Sequence, residues 1–329
     1  MTMRVAIAQI GSVVLDRAAT LEKAAASVRE AARDGAELVC FGEAVVPGYP
    51  FWLSRVDAAR FEEPELKELH GLYVSQGVDL DAGELEPVQA AARESGASVV
   101  IGVMERAADR GGHSLYCTAV FVRGDGTIGS AHRKLMPTYE ERLSWAIGDG
   151  HGLRAHRVGG FTVGALNCWE NWMPLARAAM YAQGVNLHVA IWPGAVRNTV
   201  DLTRHIAREG RCFVISACGI VRETDVPTGV PMRGRMVSAG ETVHDGGSCV
   251  AGPDGAWIIE PVADREGILF ADLDLSRVLA ERQSFDPAGH YARPDVLRLV
   301  VDRRRQTAAE FIEGGEDGGG LVGGLVGGS

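Results

Sequence analysis

Basic charge is scarce in this chain. Its 329 residues carry 33 Lys and Arg against 43 Asp and Glu, a formal net charge of −10. The longest basic run is Arg303-Arg304-Arg305. Nucleic acid and anionic lipid favour dense positive surfaces, so neither is expected as a partner. Cysteine lacks a pattern: Cys40, Cys117, Cys168, Cys212, Cys218 and Cys249 are scattered, with no C-x-x-C pair. Most lie in apolar runs, where a free thiol packs as a small hydrophobe. A disulfide scaffold is therefore not expected, and a reducing cytoplasm fits better. Long apolar runs are missing too, none approaching the roughly 18 residues of a membrane span. Met1–Ala8 enters a strand-like pattern directly, without the layout or cleavage site of a signal peptide. The expectation is a soluble, cytoplasmic protein. His132, His188, His205 and His290 fall at no zinc-site spacing, so no metal is expected. Gly124-x-Gly126-x-x-Gly129 fits the dinucleotide pattern but lies between two strand signals and opens no helix. No cofactor is expected.

What the chain does have is material for a core, 46% hydrophobic residues over a length that suits two ordinary domains or one large one. Val5–Ile10, Leu38–Phe41, Ser98–Val103, Thr162–Asn167, Leu187–Trp192 and Cys212–Ala217 read as buried strands. Between them Ala19–Arg33, Glu84–Glu94, Met173–Gln183 and Thr199–Glu209 carry helical spacing. Such alternation predicts α/β layers with largely parallel strands. Arg123-Gly124-Asp125-Gly126 and Gly252-Pro253-Asp254-Gly255 are hairpin signals, so each sheet should also hold antiparallel members. Two mixed sheets face to face with helices outside, an α-β-β-α sandwich, is the fold expected of one domain over residues 1–313. The last 16 residues, Gly314–Ser329, hold 9 glycines and no periodicity, and are expected to form a flexible tail. Phe51–Val78 and Arg222–Asp245 are read only as loops.

Ligands of α/β sheets collect beyond the carboxyl ends of strands. Three expected ends carry a reactive group: Glu43 after Leu38–Gly42, Lys134 after Ile128–His132, and Cys168 after Val163–Asn167. A thiol after a strand, at a helix N-terminus, meets a positive dipole and free N–H groups. A carboxylate can take its proton, and an ammonium can meet developing negative charge. The set suits nucleophilic attack on a carbonyl- or nitrile-like carbon. Each residue has a plainer reading: Cys212 or Cys249 serves equally well on composition, Glu43 can cap the turn Pro47–Pro50, and Lys134 can be a solvated charge beside Arg133. Tyr49, Trp52, Trp169, Trp172 and Trp192 are candidate substrate-binding residues, with core packing as the alternative for the tryptophans.

The words around those residues say more. Phe41-Gly42-Glu43 through Trp52, His132-Arg133-Lys134-Leu135-Met136-Pro137-Thr138 through Arg142, and Leu166-Asn167-Cys168-Trp169-Glu170 through Leu175 resemble the nitrilase superfamily, in that family's order and separations. Gly246–Gly255 and Asp286–Asp295 are similar to it as well, and the resemblance covers about residues 4–300. It implies Glu43 as general base, Lys134 as electrostatic stabiliser, Cys168 as nucleophile and Glu141 as a second glutamate that orients substrate and lysine. The Trp169 backbone N–H would join Lys134 in holding developing charge. Cys168-Trp169-Glu170 leans to nitrilases proper, where aliphatic amidases tend to show Tyr-Asp. Gly42 stands where the family often has proline, and is expected to loosen its turn. The implied reaction turns an organic nitrile and water into the carboxylic acid and ammonia. The alternatives are an amidase or N-carbamoyl hydrolase of the same superfamily, or a non-catalytic assembly protein. The resemblance also implies a homodimer or larger homo-oligomer, paired through outer helices and extended in many nitrilases to spirals.

Overall fold

Successive residues of a strand face opposite sides, and in β1 (Thr2–Gln9) both sides are apolar. Met3, Val5 and Ile7 enter one core cluster, while Ala6 and Ala8 enter another. A strand covered on both faces needs a layer on each. The computed structural model describes residues 1–309 and supplies both layers. The expected limit at residue 313 and the Gly314–Ser329 tail lie outside the described residues.

The first sheet contains β1, β2 (Leu38–Phe41), β3 (Ser98–Arg106), β4 (Leu115–Val122) and β5 (Ile128–Arg133). Its far edge strand comes from much later in the chain: β13 (Gly267–Asp274) pairs antiparallel with β1. β1, β2 and β3 run parallel, and β3, β4 and β5 form an antiparallel meander. The second sheet contains β6 (His156–Val158), β7 (Phe161–Asn167), β8 (Leu187–Trp192), β9 (Phe213–Cys218), β10 (Ile220–Arg222), β11 (Thr242–Ala251) and β12 (Trp257–Ala263). There β7, β8 and β9 are parallel and their neighbours antiparallel. Both expected hairpins form, each closed by a glycine in the left-handed region, Gly126 at φ 82° and Gly255 at φ 78°.

Helices α1 (Arg17–Arg33) and α3 (Glu86–Ser95) cover the outer face of the first sheet through Leu21, Ala24, Val28, Val88 and Ala92. α1 starts where the Asp16 side chain accepts from the Ala19 N–H at 2.9 Å, and ends before left-handed Gly35. α4 (Pro174–Tyr181) and α6 (Leu202–Gly210) cover the second sheet. Short helices α5 (Val196–Thr199) and α7 (Arg233–Met236) lie in connections, and α8 (Leu275–Glu281) follows β13. Between the sheets Val5, Ile7, Leu38, Cys40, Val100 and Phe121 meet Val163, Leu187, Val189, Ile191, Phe213 and Ile215 in a buried apolar seam. The α-β-β-α sandwich expected from the sequence is therefore the one observed. Helix α2 (Pro64–Ser75), inside the expected loop Phe51–Val78, is the main element that the periodicity did not single out; it buries only Leu69 and Tyr73.

Gly42 has a role beyond its own turn. It permits a close approach between the sheets, a packing role the turn reading did not foresee. A Cβ there would fall 2.5 Å from the Gly219 nitrogen and 2.8 Å from the Trp192 carbonyl oxygen. With no side chain in the way, the Glu43 N–H reaches that Trp192 carbonyl at 3.0 Å.

Candidate active site

At one end of the seam the polar groups converge. The Cys168 thiol and the Glu43 and Glu141 carboxylates each place an atom within 4.8 Å of the others, all buried. The Lys134 ammonium lies between the carboxylates, 2.9 Å from Glu43 Oε1 and 2.7 Å from Glu141 Oε2. A carboxylate–thiolate set could in principle hold a divalent cation. Here the Lys134 ammonium already lies between the two carboxylates, where such a cation would sit, so the donor set fits a buried cation of the protein's own better than a metal.

Four elements deliver these groups, and at three of them, those carrying Glu43, Glu141 and Cys168, a non-glycine residue takes the left-handed region. Glu43 follows β2 and precedes Ala44 at φ 46°. Glu141 sits in the short turn of helix Tyr139–Leu143, whose first residue has φ 44°. Cys168 itself, directly after β7, has φ 40°. Non-glycine residues in the left-handed region cost on the order of 1–3 kcal/mol and persist where surrounding bonds hold them. For Cys168 those bonds are visible. The Glu170 carboxylate accepts from the Asn167 N–H at 2.7 Å, the Leu135 N–H at 2.6 Å and His132 Nε2 at 3.0 Å. One side chain thus ties the residue before the nucleophile to the residue after Lys134. Beneath the turn, Asn171 Nδ2 donates to the Cys168 carbonyl at 2.8 Å, and Asn171 Oδ1 pairs with His188 Nε2 at 2.7 Å. Burial lowers the His188 pKa to about 4, so at neutral pH the ring is uncharged and serves as a donor to that amide.

Glu141 is held in turn. Its Oε1 accepts from the Tyr49 hydroxyl at 2.8 Å, and its Oε2 accepts from the Thr138 N–H at 2.6 Å as well as from Lys134. The Lys134 ammonium also lies 5.6 Å from the centre of the Trp145 ring.

Electrostatics assign protons. Burial pushes the Glu43 carboxyl up to about 7, with Lys134 opposing the shift and Glu141 adding to it. Burial alone would lower the Lys134 ammonium, but Glu43, Cys168 and Glu141 outweigh it and hold the pKa well above the ordinary range. The Cys168 thiol is raised by burial and by Glu43, with Lys134 and the Trp169 N–H drawing it back. A neutral thiol beside a basic carboxylate and a fixed cation is the resting state these shifts describe. The thiol proton can pass to Glu43, and the remaining charge then faces Lys134.

The candidate tryptophans divide. Trp169 and Trp172 are half exposed on the turn that carries Cys168. Trp52 and Trp192 belong to the packed interior: Trp52 lies edge-on to Tyr73 at 5.1 Å, and the Trp192 indole donates to Ser216 Oγ at 3.2 Å. What Trp192 brings to the site is its carbonyl, through Glu43. Sequence reasoning missed three contributors. Asn171 and His188 carried no signal, because their pairing spans a strand and a turn. Cys117 looked like any buried thiol, yet its Sγ lies 3.4 Å from Glu43 Oε1.

The carbon–nitrogen hydrolase family model matches residues 4–283. A nitrilase of Bradyrhizobium diazoefficiens is 39% identical over 94% of this chain and 95% of its own length. An aliphatic nitrilase of Sinorhizobium fredii is 39% identical over 93% of the chain and 97% of its own. Among solved structures, a carbon–nitrogen hydrolase from Helicobacter pylori superposes with a TM-score of 0.67 at 21% identity, over 90% of this chain and 97% of that one, a likeness of fold. With its sandwich, its buried thiol and the two carboxylates around one lysine, the chain belongs to the carbon–nitrogen hydrolase family.

Proposed function

We propose that this hydrolase is a nitrilase, converting an organic nitrile and two waters to the carboxylic acid and ammonia. The observation that carries the reading is the convergence of Cys168, Glu43 and Glu141 around the buried Lys134 ammonium. Cys168-Trp169-Glu170 and the nitrilases among the relatives favour a nitrile over an amide.

Cys168 Sγ attacks the nitrile carbon while Glu43 takes the thiol proton and returns it to nitrogen, giving a thioimidate. Lys134, with the Trp169 N–H, faces the charge that builds on nitrogen. Water, deprotonated by Glu43, adds to the thioimidate carbon and forms a tetrahedral species. Protonation of its nitrogen breaks the C–N bond, and ammonia leaves behind a thioester. A second water breaks the C–S bond, releasing the acid and restoring the thiol. If the tetrahedral species expels sulfur first, the amide leaves as a by-product. Glu141 holds Lys134 and, through Tyr49, one wall of the site. Trp169 and Trp172 offer half-exposed indole faces beside the thiol for the organic part of the substrate.

The protein works in this reading as a homodimer or larger homo-oligomer in the cytoplasm. Six free, buried cysteines support a reducing compartment. Exposed Met173 and Leu175 around the start of α4 support an outer-helix contact.

Ammonia and acid release over a panel of nitriles and their matching amides tests the activity. The best nitrile should exceed its amide in kcat/KM by at least about tenfold, roughly 1.4 kcal/mol in the barrier. Faster release from amides across the panel would move the protein to the amidase branch. Intact-mass mapping should find the acyl adduct on the Cys168 peptide alone.

A further inference from the structure

Glu43 has two oxygens in unlike surroundings. Oε1 meets Lys134 Nζ at 2.9 Å and Cys117 Sγ at 3.4 Å, whereas Oε2 is buried with no partner. Cys117 lies on β4, facing the site from the first sheet. Its carbonyl accepts from the Lys134 N–H at 2.7 Å, and its Sγ lies 3.8 Å from Asn167 Oδ1, beside the nucleophile. One residue therefore touches the base, the lysine and the residue before Cys168. Packing alone would not require a thiol to point at a carboxylate.

We propose that Cys117 is a positioning residue for the base: its S–H and the Lys134 ammonium together engage Glu43 Oε1, leaving Oε2 as the oxygen that carries the proton. This rests on Glu43 being the general base. Burial, then Glu43, raise the Cys117 thiol well above the usual range, so it stays a neutral donor throughout the working pH. An S–H donating to the ionised carboxylate favours that form, and its loss should make Glu43 more basic. The other titratable groups facing Glu43 are Lys134 at the end of β5, Glu141 in the Tyr139–Leu143 turn, Cys168 after β7, and the Tyr49 and Tyr73 hydroxyls. All remain in place when only Cys117 changes.

The test compares Cys117→Val, which keeps most of the volume and removes the donor, with Cys117→Ser, which keeps a donor. The acid limb of kcat/KM should move up by at least about half a pH unit in Cys117→Val, and return to within about 0.2 unit of wild type, or lower, in Cys117→Ser. A Cys117→Val limb that coincides with wild type would show a packing role only and overturn the proposal. Glu43→Gln separates the two claims. If it retains turnover, the base assignment fails and takes this proposal with it; if it is inactive while the Cys117→Val limb stays put, only the role of Cys117 is lost. Should Cys117→Val not fold, the infrared S–H band that disappears in Cys117→Ser gives a second reading. In wild type that band should move to lower frequency as Glu43 ionises, and a band indifferent to pH would overturn the assignment.

Discussion

The same strands build both an apolar seam and a charged end. β2 contributes Leu38 and Cys40 to the seam, then Glu43 to the site; β4 contributes Ala119 and Phe121 to the seam and Cys117 to the site. β7 buries Phe161 and Val163 between the sheets, and ends in Asn167 before Cys168. The seam is non-directional and held by burial. The charged end is equally buried, with Lys134 at 1% exposure and Glu43 at 2%, yet every charge there has a named partner. Buried charge is costly unless paired, so the end is held by geometry where the seam is held by area. Damage to the seam should lower stability and spare turnover; damage to the charged end should do the reverse.

The largest separation is expected from Cys168→Ala, which should lower kcat/KM by at least about 10⁴-fold with an unchanged circular dichroism spectrum. Glu43→Gln should follow at about 10³-fold, since the amide cannot complete the proton cycle. A thermal melt within a few degrees of wild type for both would keep the two regions distinct, and collapse of the fold in either would merge them. The mirror image is Ile191→Ala in the seam, expected to cost about 3 kcal/mol of unfolding free energy. Its kcat in native buffer should stay close to wild type. Glu170→Ala is the substitution that should strike both regions at once. It strands His132 and two backbone N–H groups in the interior and releases the tie between Leu135 and Asn167. A loss of about 3 kcal/mol in urea unfolding is expected, together with a fall in kcat.

Smaller effects come from pH. Glu43 must be a carboxylate in the free enzyme to take the thiol proton, and its pKa is raised to about 7. The base form is lost as pH falls, so kcat/KM should decline below about 7, where an unperturbed glutamate would hold to about 4.3. An acid limb near that lower value would mean that burial does not tune this carboxylate. His188 acts on stability in the same direction. Its folded pKa is about 4 against the ordinary histidine value of 6.5, so between the two the unfolded chain binds the extra proton. The stability it carries is complete above 6.5 and is lost as pH falls toward 4. Replacement by Asn should flatten the pH dependence of urea unfolding there by about one proton.

Much of this is legible in the sequence. The parallel strands, four helices and two hairpins follow from spacing and turn chemistry, because a strand buried on both faces must read as an unbroken apolar run. Glu43, Lys134, Glu141 and Cys168 were legible in the motif words around them. Helix α2 was not, because it buries only two side chains and leaves little periodicity. β13 was missed because Ile268, Leu269 and Phe270 are only partly buried at a sheet edge, and the strand has no hairpin partner nearby in the chain.

Local sequence determined the parallel strands and the two hairpins, since both depend on neighbours a few positions away, and the motif words marked the residues that can react. Tertiary structure decided what those residues experience. Glu43 and Cys117 are far apart in sequence, as are His132 and Glu170, and no local pattern encodes a contact between them. The burial that raises the Glu43 pKa and the close approach permitted by Gly42 exist only once the two sheets meet. The oxygen left free to carry the proton is set by Lys134 and Cys117, brought in by other strands of the first sheet. Burial and long-range hydrogen bonds set them, and both arise from the packing of distant segments.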